Sequence, residues 1–140
     1  MTVIRITPDR ERAKGLLETI EVRLDSISLM ENADIEKFAS KITEEYYEVI
    51  LELVTAIMSA DGYKISADTV GGHVASIQYM RKYKDLGAHE IELMDELRKR
   101  RVGIKYYGRR VSNEYLQGKE KEINNLVRKL WAIVKARLDG

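Results

Sequence analysis

A single proline, Pro8, stands near the start of the chain, and none follows from residue 9 to residue 140. Proline ends or kinks an α-helix through its missing N–H and its ring clash with the preceding turn. A proline-free stretch in which apolar residues recur every three or four positions is therefore read as a set of amphipathic helices with short joins. Only nine glycines accompany it, too few for the frequent turns of a β-sandwich. Hydrophobic residues make up 44% of the chain, enough apolar surface to offset the entropy of ordering. Cysteine is absent, which excludes disulfides, cysteine zinc sites and thiol catalysis. No run of 18 apolar residues offers a membrane span, and the opening Met-Thr-Val-Ile-Arg-Ile-Thr lacks a signal-peptide pattern. A single helical domain over residues 1–140, with its core at about 8–138 and a cytoplasmic location, is expected.

The helices can be placed one by one. Thr7 is a suitable N-cap, Pro8 suits the first helical position, and Asp9 and Glu11 favour the positive helix end. Ala13, Leu17, Ile20, Leu24 and Ile27 then keep helical spacing up to a break between Glu31 and Asp34. A second helix over 34–60 presents Ile35, Phe38, Ile42, Val49, Leu53 and Ala56, widened by Ile50, Val54 and Ile57. Asp61-Gly62 stops it, and a loop over 63–67 follows. Asp68 can cap a third helix extending to about Tyr83, its first turn weakened by Gly71 and Gly72. Asp85-Leu86-Gly87 turns the chain into a fourth helix over 88–107, ended by Gly108. Ser112 caps a fifth, striped by Ile123, Leu126, Leu130 and Ile133. The expected fold class is all-α, an antiparallel up-and-down bundle of about five helices.

Charge is distributed unevenly. The segment from Arg98 to Arg110 holds seven basic residues and no acidic one, so a net charge of +1 leaves the rest of the chain at −6. A local cationic patch on an otherwise acidic protein attracts polyanions even when the total charge is near zero. Tyr106 and Tyr107 lie among these cations, and alternating cations and rings suit single-stranded RNA, where phosphates meet the charges and bases stack on the rings. The same residues have a structural reading, since cations near a helix C-terminus complement its dipole and tyrosine packs at a bundle rim. The candidate RNA- or phosphate-binding residues are Arg98, Arg101, Lys105, Tyr106, Tyr107, Arg109 and Arg110.

Arg101 interrupts the apolar stripe formed by Ile91, Met94, Leu97 and Ile104. Arginine keeps its charge, so Arg101 requires an anion: either a glutamate of another helix or a bound ligand. Gly103 marks either helix fraying or close approach of a second backbone or a ligand. Glu45, Glu48 and Glu52 share one face of the second helix, which reads first as a solvated face and second as a holder of arginine or a divalent ion. His73, at helical spacing from Ile77, reads as a packed or hydrogen-bonded histidine, and His89 lacks a His-Glu-x-x-His partner. Trp131 lies among Leu130, Ile133 and Val134 as a core or interface residue. No metal site and no cofactor are expected.

The run Leu97-Arg98-Lys99-Arg100-Arg101-Val102-Gly103-Ile104-Lys105-Tyr106-Tyr107-Gly108 resembles the signature helix of HEPN domains, helical bundles often linked to RNA cleavage in toxin, defence and stress systems. Ala60-Asp61-Gly62-Tyr63-Lys64, followed by a helix containing His73, is similar to that family's junction between its second and third helices, and the Arg110-Val111-Ser112 join fits as well. The resemblance implies a four-helix core, a homodimer with two facing signature helices, and metal-independent chemistry using an arginine and a histidine. Arg101 matches the arginine. Val102 replaces the polar residue after it, and no histidine follows, so the segment is closer to an Arg-x-x-x-x-Tyr version. Histidine is the natural proton shuttle near neutral pH, whereas Tyr106 acts as a base only where cations stabilise its phenolate.

Arg101 and Tyr106 are thus the candidate catalytic pair of a divergent or inactive ribonuclease, with binding favoured over cleavage. The alternative is a non-catalytic interaction module that pairs with a nucleotidyltransferase-like or other protein.

Overall fold

The structure, a computed structural model, describes residues 3–66 and 71–140. Its elements in chain order are strand β1 (Val3–Arg5), helix α1 (Arg10–Asp61), strand β2 (Tyr63–Ile65), and helices α2 (Gly72–Tyr79), α3 (Ala88–Tyr107) and α4 (Asn113–Asp139). The helical class expected from the sequence is the one adopted, with the two short strands as an addition.

Helix α1 is two arms in one run. Asp34 is extended (φ −170°, ψ 88°), and its Oδ1 accepts from the Lys37 N–H at 3.1 Å, so it caps the second arm. The chain reverses there. Arg23 on the first arm reaches Glu52 (2.5 Å) and Glu45 (2.9 Å) on the second, and the Asp9 N–H donates to the Ser59 carbonyl at 2.8 Å. The break between Glu31 and Asp34 therefore falls where the sequence places it. The arms bury Ala13, Leu17, Ile20 and Ile27 against Ile42, Val49, Ile50, Leu53 and Ile57.

The first helix starts later than Thr7: Asp9 is its N-cap, accepting from the Arg12 N–H at 2.9 Å. The cause is tertiary. The Ile6 N–H donates to the Gly62 carbonyl at 2.8 Å, and β1 pairs antiparallel with β2, Val3 opposite Ile65 and Arg5 opposite Tyr63. Those bonds hold the preceding backbone extended, and the loop expected at 63–67 contains strand β2 for the same reason. Gly62 takes φ +87°, and a Cβ there would lie 2.9 Å from the Ile6 carbonyl oxygen. The expected stop signal is thus also the point of closest approach between the N-terminal strand and α1.

Asp68, the expected cap of the third helix, lies outside the described residues. Helix α2 ends at Tyr79, short of Tyr83, and tightens into a 3₁₀ turn over Met80–Lys82. That turn keeps Met80 fully buried while the chain bends towards Leu86 and α3. Helix α3 has the expected bounds. Ser112 caps α4 as expected, its Oγ accepting from the Tyr115 N–H at 3.1 Å. Helix α4 packs along α1 and α3: Arg137 donates to Asp61 at 2.7 Å, and Lys129 lies 2.5 Å from Glu90. The core combines the inner faces of α1 and α4 with Met80, Met94, Leu97 and Leu116.

Candidate functional site

Helix α3 sorts the basic segment by angle. At about 100° per residue, Arg98 and Arg101 fall within roughly 60° of each other, while Tyr106 lies about 80° round from Arg98 and about 140° from Arg101. Within one chain the Arg101 and Tyr106 side chains therefore leave α3 in different directions.

The inward stripe meets α1 and α2. Arg101 Nε lies 3.0 Å from Glu48 Oε1, and both side chains are largely buried. Its guanidinium sits 5.8 Å from the ring centroid of Tyr47, itself buried in the core. The Tyr47 hydroxyl is 3.0 Å from Nδ1 of His73 on α2, with the two rings tilted by 45°. Glu48, Arg101, Tyr47 and His73 thus come together from three helices. Arg98, at the other end of the stripe, pairs with Asp95 at 2.8 Å.

The electrostatics of this cluster follow from its burial. Burial pushes the Tyr47 phenol up to about 12, with the Arg101 charge opposing that rise, so Tyr47 stays protonated. Burial also lowers the His73 imidazole, and the charges of Arg101, Arg98 and Lys105 lower it further against an opposing pull from Glu48. His73 is therefore held towards its neutral form. Tyr47 and His73 Nδ1 share one hydrogen bond, whose donor is set by the imidazole tautomer, and Nε2 is left for another partner.

The outward part of the segment is different. Tyr106 and Tyr107 are 64% and 69% exposed, far more than tyrosines used for packing. Lys105 Nζ lies 5.5 Å from the Tyr106 ring and the Arg109 guanidinium 5.5 Å from the Tyr107 ring. Among the described residues, Lys105, Arg109 and Arg110 have no carboxylate partner, nor has Arg100, whose guanidinium lies 4.1 Å over the Tyr115 ring. Arg100 was not among the sequence candidates; its exposure and lack of a carboxylate add it to this surface. Arg110 borders a shallow groove with Asp34, Lys37 and Ser40, where the Val111 N–H donates to Ser40 Oγ at 2.8 Å.

Gly103 has a definite role. It is buried beneath the Arg109 side chain, a Cβ there would lie 3.3 Å from Arg109 Cδ, and the Arg109 N–H donates to the Gly103 carbonyl at 3.0 Å. The helix does not fray at Gly103, and the group that approaches it is the Arg109 side chain and not the second backbone or ligand expected. Gly108 (φ +60°) makes the reversal that brings Arg109 back over the helix.

The acidic face of α1 requires a correction. Glu45, Glu48 and Glu52 do not form a solvated face: Glu45 and Glu52 hold Arg23, and Glu48 holds Arg101, with side-chain exposures of only 13–25%. Their second reading, as arginine holders, is the one adopted. What distinguishes them is that both arginines lie on other helical segments, which spacing within one helix does not reveal. His73 is hydrogen-bonded, as expected, but its meeting with Tyr47, the ring beside Arg101, has no sequence signal. His89 is exposed beside Glu122 at 3.4 Å, and Trp131 packs partly buried against the core. Among the described residues no three His, Asp or Glu side chains converge as a metal site would need, and no helix is long and apolar enough to cross a membrane.

No protein-family model, curated protein or solved structure matches this chain.

Proposed function

We propose that this chain is a HEPN-like domain, with its helices forming an up-and-down bundle, that binds RNA through the C-terminal end of α3 and acts as a homodimer. One observation carries the reading. Two tyrosines project into solvent at that end, flanked by Lys105, Arg109 and Arg110, none of which has a carboxylate partner among the described residues. Exposed rings cost solvation unless something stacks on them, and unpaired cations beside them supply the phosphate contacts a single strand needs. Arg101, engaged by Glu48, takes a smaller part, and binding rather than cleavage is the activity. In the metal-independent ribonuclease version of this reading, His73, bonded to the Tyr47 that flanks Arg101, replaces Tyr106 as the candidate proton shuttle.

A salt titration of binding to labelled single-stranded RNA tests this. Affinity falls steeply with added salt, and Lys105→Ala and Arg109→Ala each reduce the slope by about one. Unchanged slopes in both variants sink the RNA reading. Incubation with RNA and EDTA between about pH 6 and 10 tests the nuclease branch, since cleavage needs a titrating proton shuttle in that range. No cutting leaves binding alone.

The second reading, a module that pairs with another protein such as a nucleotidyltransferase-like partner, draws on Val22 and Leu29. They lie two turns apart on the first arm of α1 and are 68% and 71% exposed. Under it, Val22→Ser with Leu29→Ser changes complex mass while RNA retention stays as it was.

A further inference from the structure

Five large apolar side chains stand exposed among the described residues. Val74 of α2 is on its own at 39%, and the other four form two pairs, each side chain between 64% and 71% exposed. Tyr106 and Tyr107 are the pair at the end of α3, and Val22 and Leu29 the pair on the first arm of α1. A lone exposed leucine on a surface helix needs no explanation, whereas apolar groups gathered on one face and rimmed by charge mark a contact surface.

The two pairs have opposite surroundings. On the first arm, Leu29 lies roughly 20° round from Val22, and Glu18, Asp25 and Glu21 follow within roughly 100° on the same side. All three acids are exposed, and none has a basic partner among the described residues. Arg23, the one basic residue between Gly15 and Ala33, is turned away to hold Glu45 and Glu52. At the end of α3 the signs invert, with Lys105, Arg109 and Arg110 around the tyrosines and no carboxylate bound to them among the described residues. Each face thus combines three unpaired charges of one sign with two projecting apolar side chains.

We propose that the acidic face of the first arm docks the cationic, tyrosine-bearing end of α3 of a second copy of this chain. A polyanion is repelled by Glu18, Glu21 and Asp25, so the occupant has to bring cations beside exposed apolar groups. The end of α3 brings both, and every molecule that presents the acidic face presents that end as well. Opposite potentials orient the encounter and set its register, while Val22 and Leu29 meet the tyrosine rings between the charges. The two faces differ, so the contact is heterologous: it is distinct from a homodimer with two facing α3 helices and leaves one free face on each partner for a further copy. Where α3 binds RNA, RNA and the acidic arm compete for one surface, but the contact itself does not rest on RNA binding.

Sedimentation velocity of the intact chain over a concentration series, at about 50 mM and about 500 mM salt, tests the contact, because exposed charges are screened at the higher value. The wild-type mass rises with concentration at the lower salt, and association is at least tenfold weaker at the higher one. Glu18→Lys with Asp25→Lys weakens association at least tenfold, and so, in a separate protein, does Lys105→Glu with Arg110→Glu; all four positions are exposed, and circular dichroism checks that both variants keep their helices. Mixed in equal amounts the two variants associate again, since the first carries two cationic faces and the second two acidic ones. Val22→Ser with Leu29→Ser, added to both, weakens that mixed complex, which attraction between charges alone does not explain. A wild-type mass that is independent of concentration at the lower salt, a mixture as dissociated as its components, or a mixed complex indifferent to the loss of Val22 and Leu29 overturns the proposal. A homodimer through facing α3 helices leaves the acidic arm free and so persists in Glu18→Lys with Asp25→Lys, which separates the two modes of association.

Discussion

Arg101 of α3 and Glu48 of α1 meet at 3.0 Å, and Tyr47 lies beside the guanidinium with its hydroxyl on His73. The most conspicuous charge in the apolar stripe of α3 is therefore neutralised within the chain. Removing one partner leaves the other charged and largely buried, which costs more than the pair contributes. Arg101→Met and Glu48→Gln should each destabilise by about 2 kcal/mol, while Arg101→Met with Glu48→Gln should cost clearly less than the sum. Urea unfolding of the four proteins checks this; additive losses would mean that the two side chains do not interact.

The exposed tyrosines separate stacking from charge. If α3 binds single-stranded RNA as proposed, Tyr106→Ala and Tyr107→Ala should each weaken that binding by about tenfold, the loss of one stacked base. The salt slope should stay unchanged, because neither residue neutralises a phosphate. Fluorescence anisotropy over a salt series measures both quantities, and a flattened slope would assign the tyrosines a different role.

Asp61 links pH to the packing of α1 and α4. Burial on its own would raise its carboxyl, but hydrogen bonds from Tyr83 and Arg137, the Arg137 charge and a further bond from Tyr79 bring it below the usual carboxylate range. A depressed folded-state value means the folded protein releases this proton first. Its stabilisation is thus complete above the unfolded value near 4 and is lost as pH falls through the folded one. The Tyr83 phenol goes the other way. Burial first, then Asp61, pushes it up to about 12, so its stabilisation holds below about pH 10 and is lost as pH rises towards 12. Thermal melts should show both limbs, with Asp61→Asn flattening the acid one and Tyr83→Phe the alkaline one.

His73 supplies a shallower dependence between them. Its imidazole is lowered by burial and by the three cations of α3, against Glu48, so its contribution is present above the unfolded value near 6.5 and lost as pH falls through the folded value. An NMR titration of the ring should place its midpoint below 6.5, and Arg101→Met should move it upward. A midpoint unmoved by that substitution would mean His73 does not feel the α3 charges.

Two glycines should respond in opposite directions. Gly15 is exposed within α1, and a methyl group added there would meet nothing within 4 Å, so Gly15→Ala should stabilise by about 0.5–1 kcal/mol through helix propensity alone. Gly62 has φ +87° and the Ile6 carbonyl oxygen 2.9 Å from where a Cβ would lie, so Gly62→Ala should destabilise by more than about 1 kcal/mol. Chemical denaturation of both variants decides the matter, and equal effects would contradict the tight apposition of β1 and α1.

The sequence by itself determined the helical class, the break at Asp34, the stop at Gly62, the bounds of α3 and the cap at Ser112. Each of these rests on short-range physics: a helical period, a capping oxygen, a residue free to take positive φ. It also located the cationic segment, because charge is composition. Only the tertiary structure decided how that segment is divided. The angle at which α3 meets α1 turned Arg101 inward to Glu48 and left Lys105, Tyr106, Tyr107, Arg109 and Arg110 outside. It also drew Glu45 and Glu52 to Arg23, set His73 beside Tyr47, and pulled residues 3–5 and 63–65 into a sheet. The partners are distant in the chain, 22 positions apart for Arg23 and Glu45 and 26 for Tyr47 and His73. No local pattern encodes such contacts, because an ion pair across helices depends on rotation and register that packing of the whole core fixes.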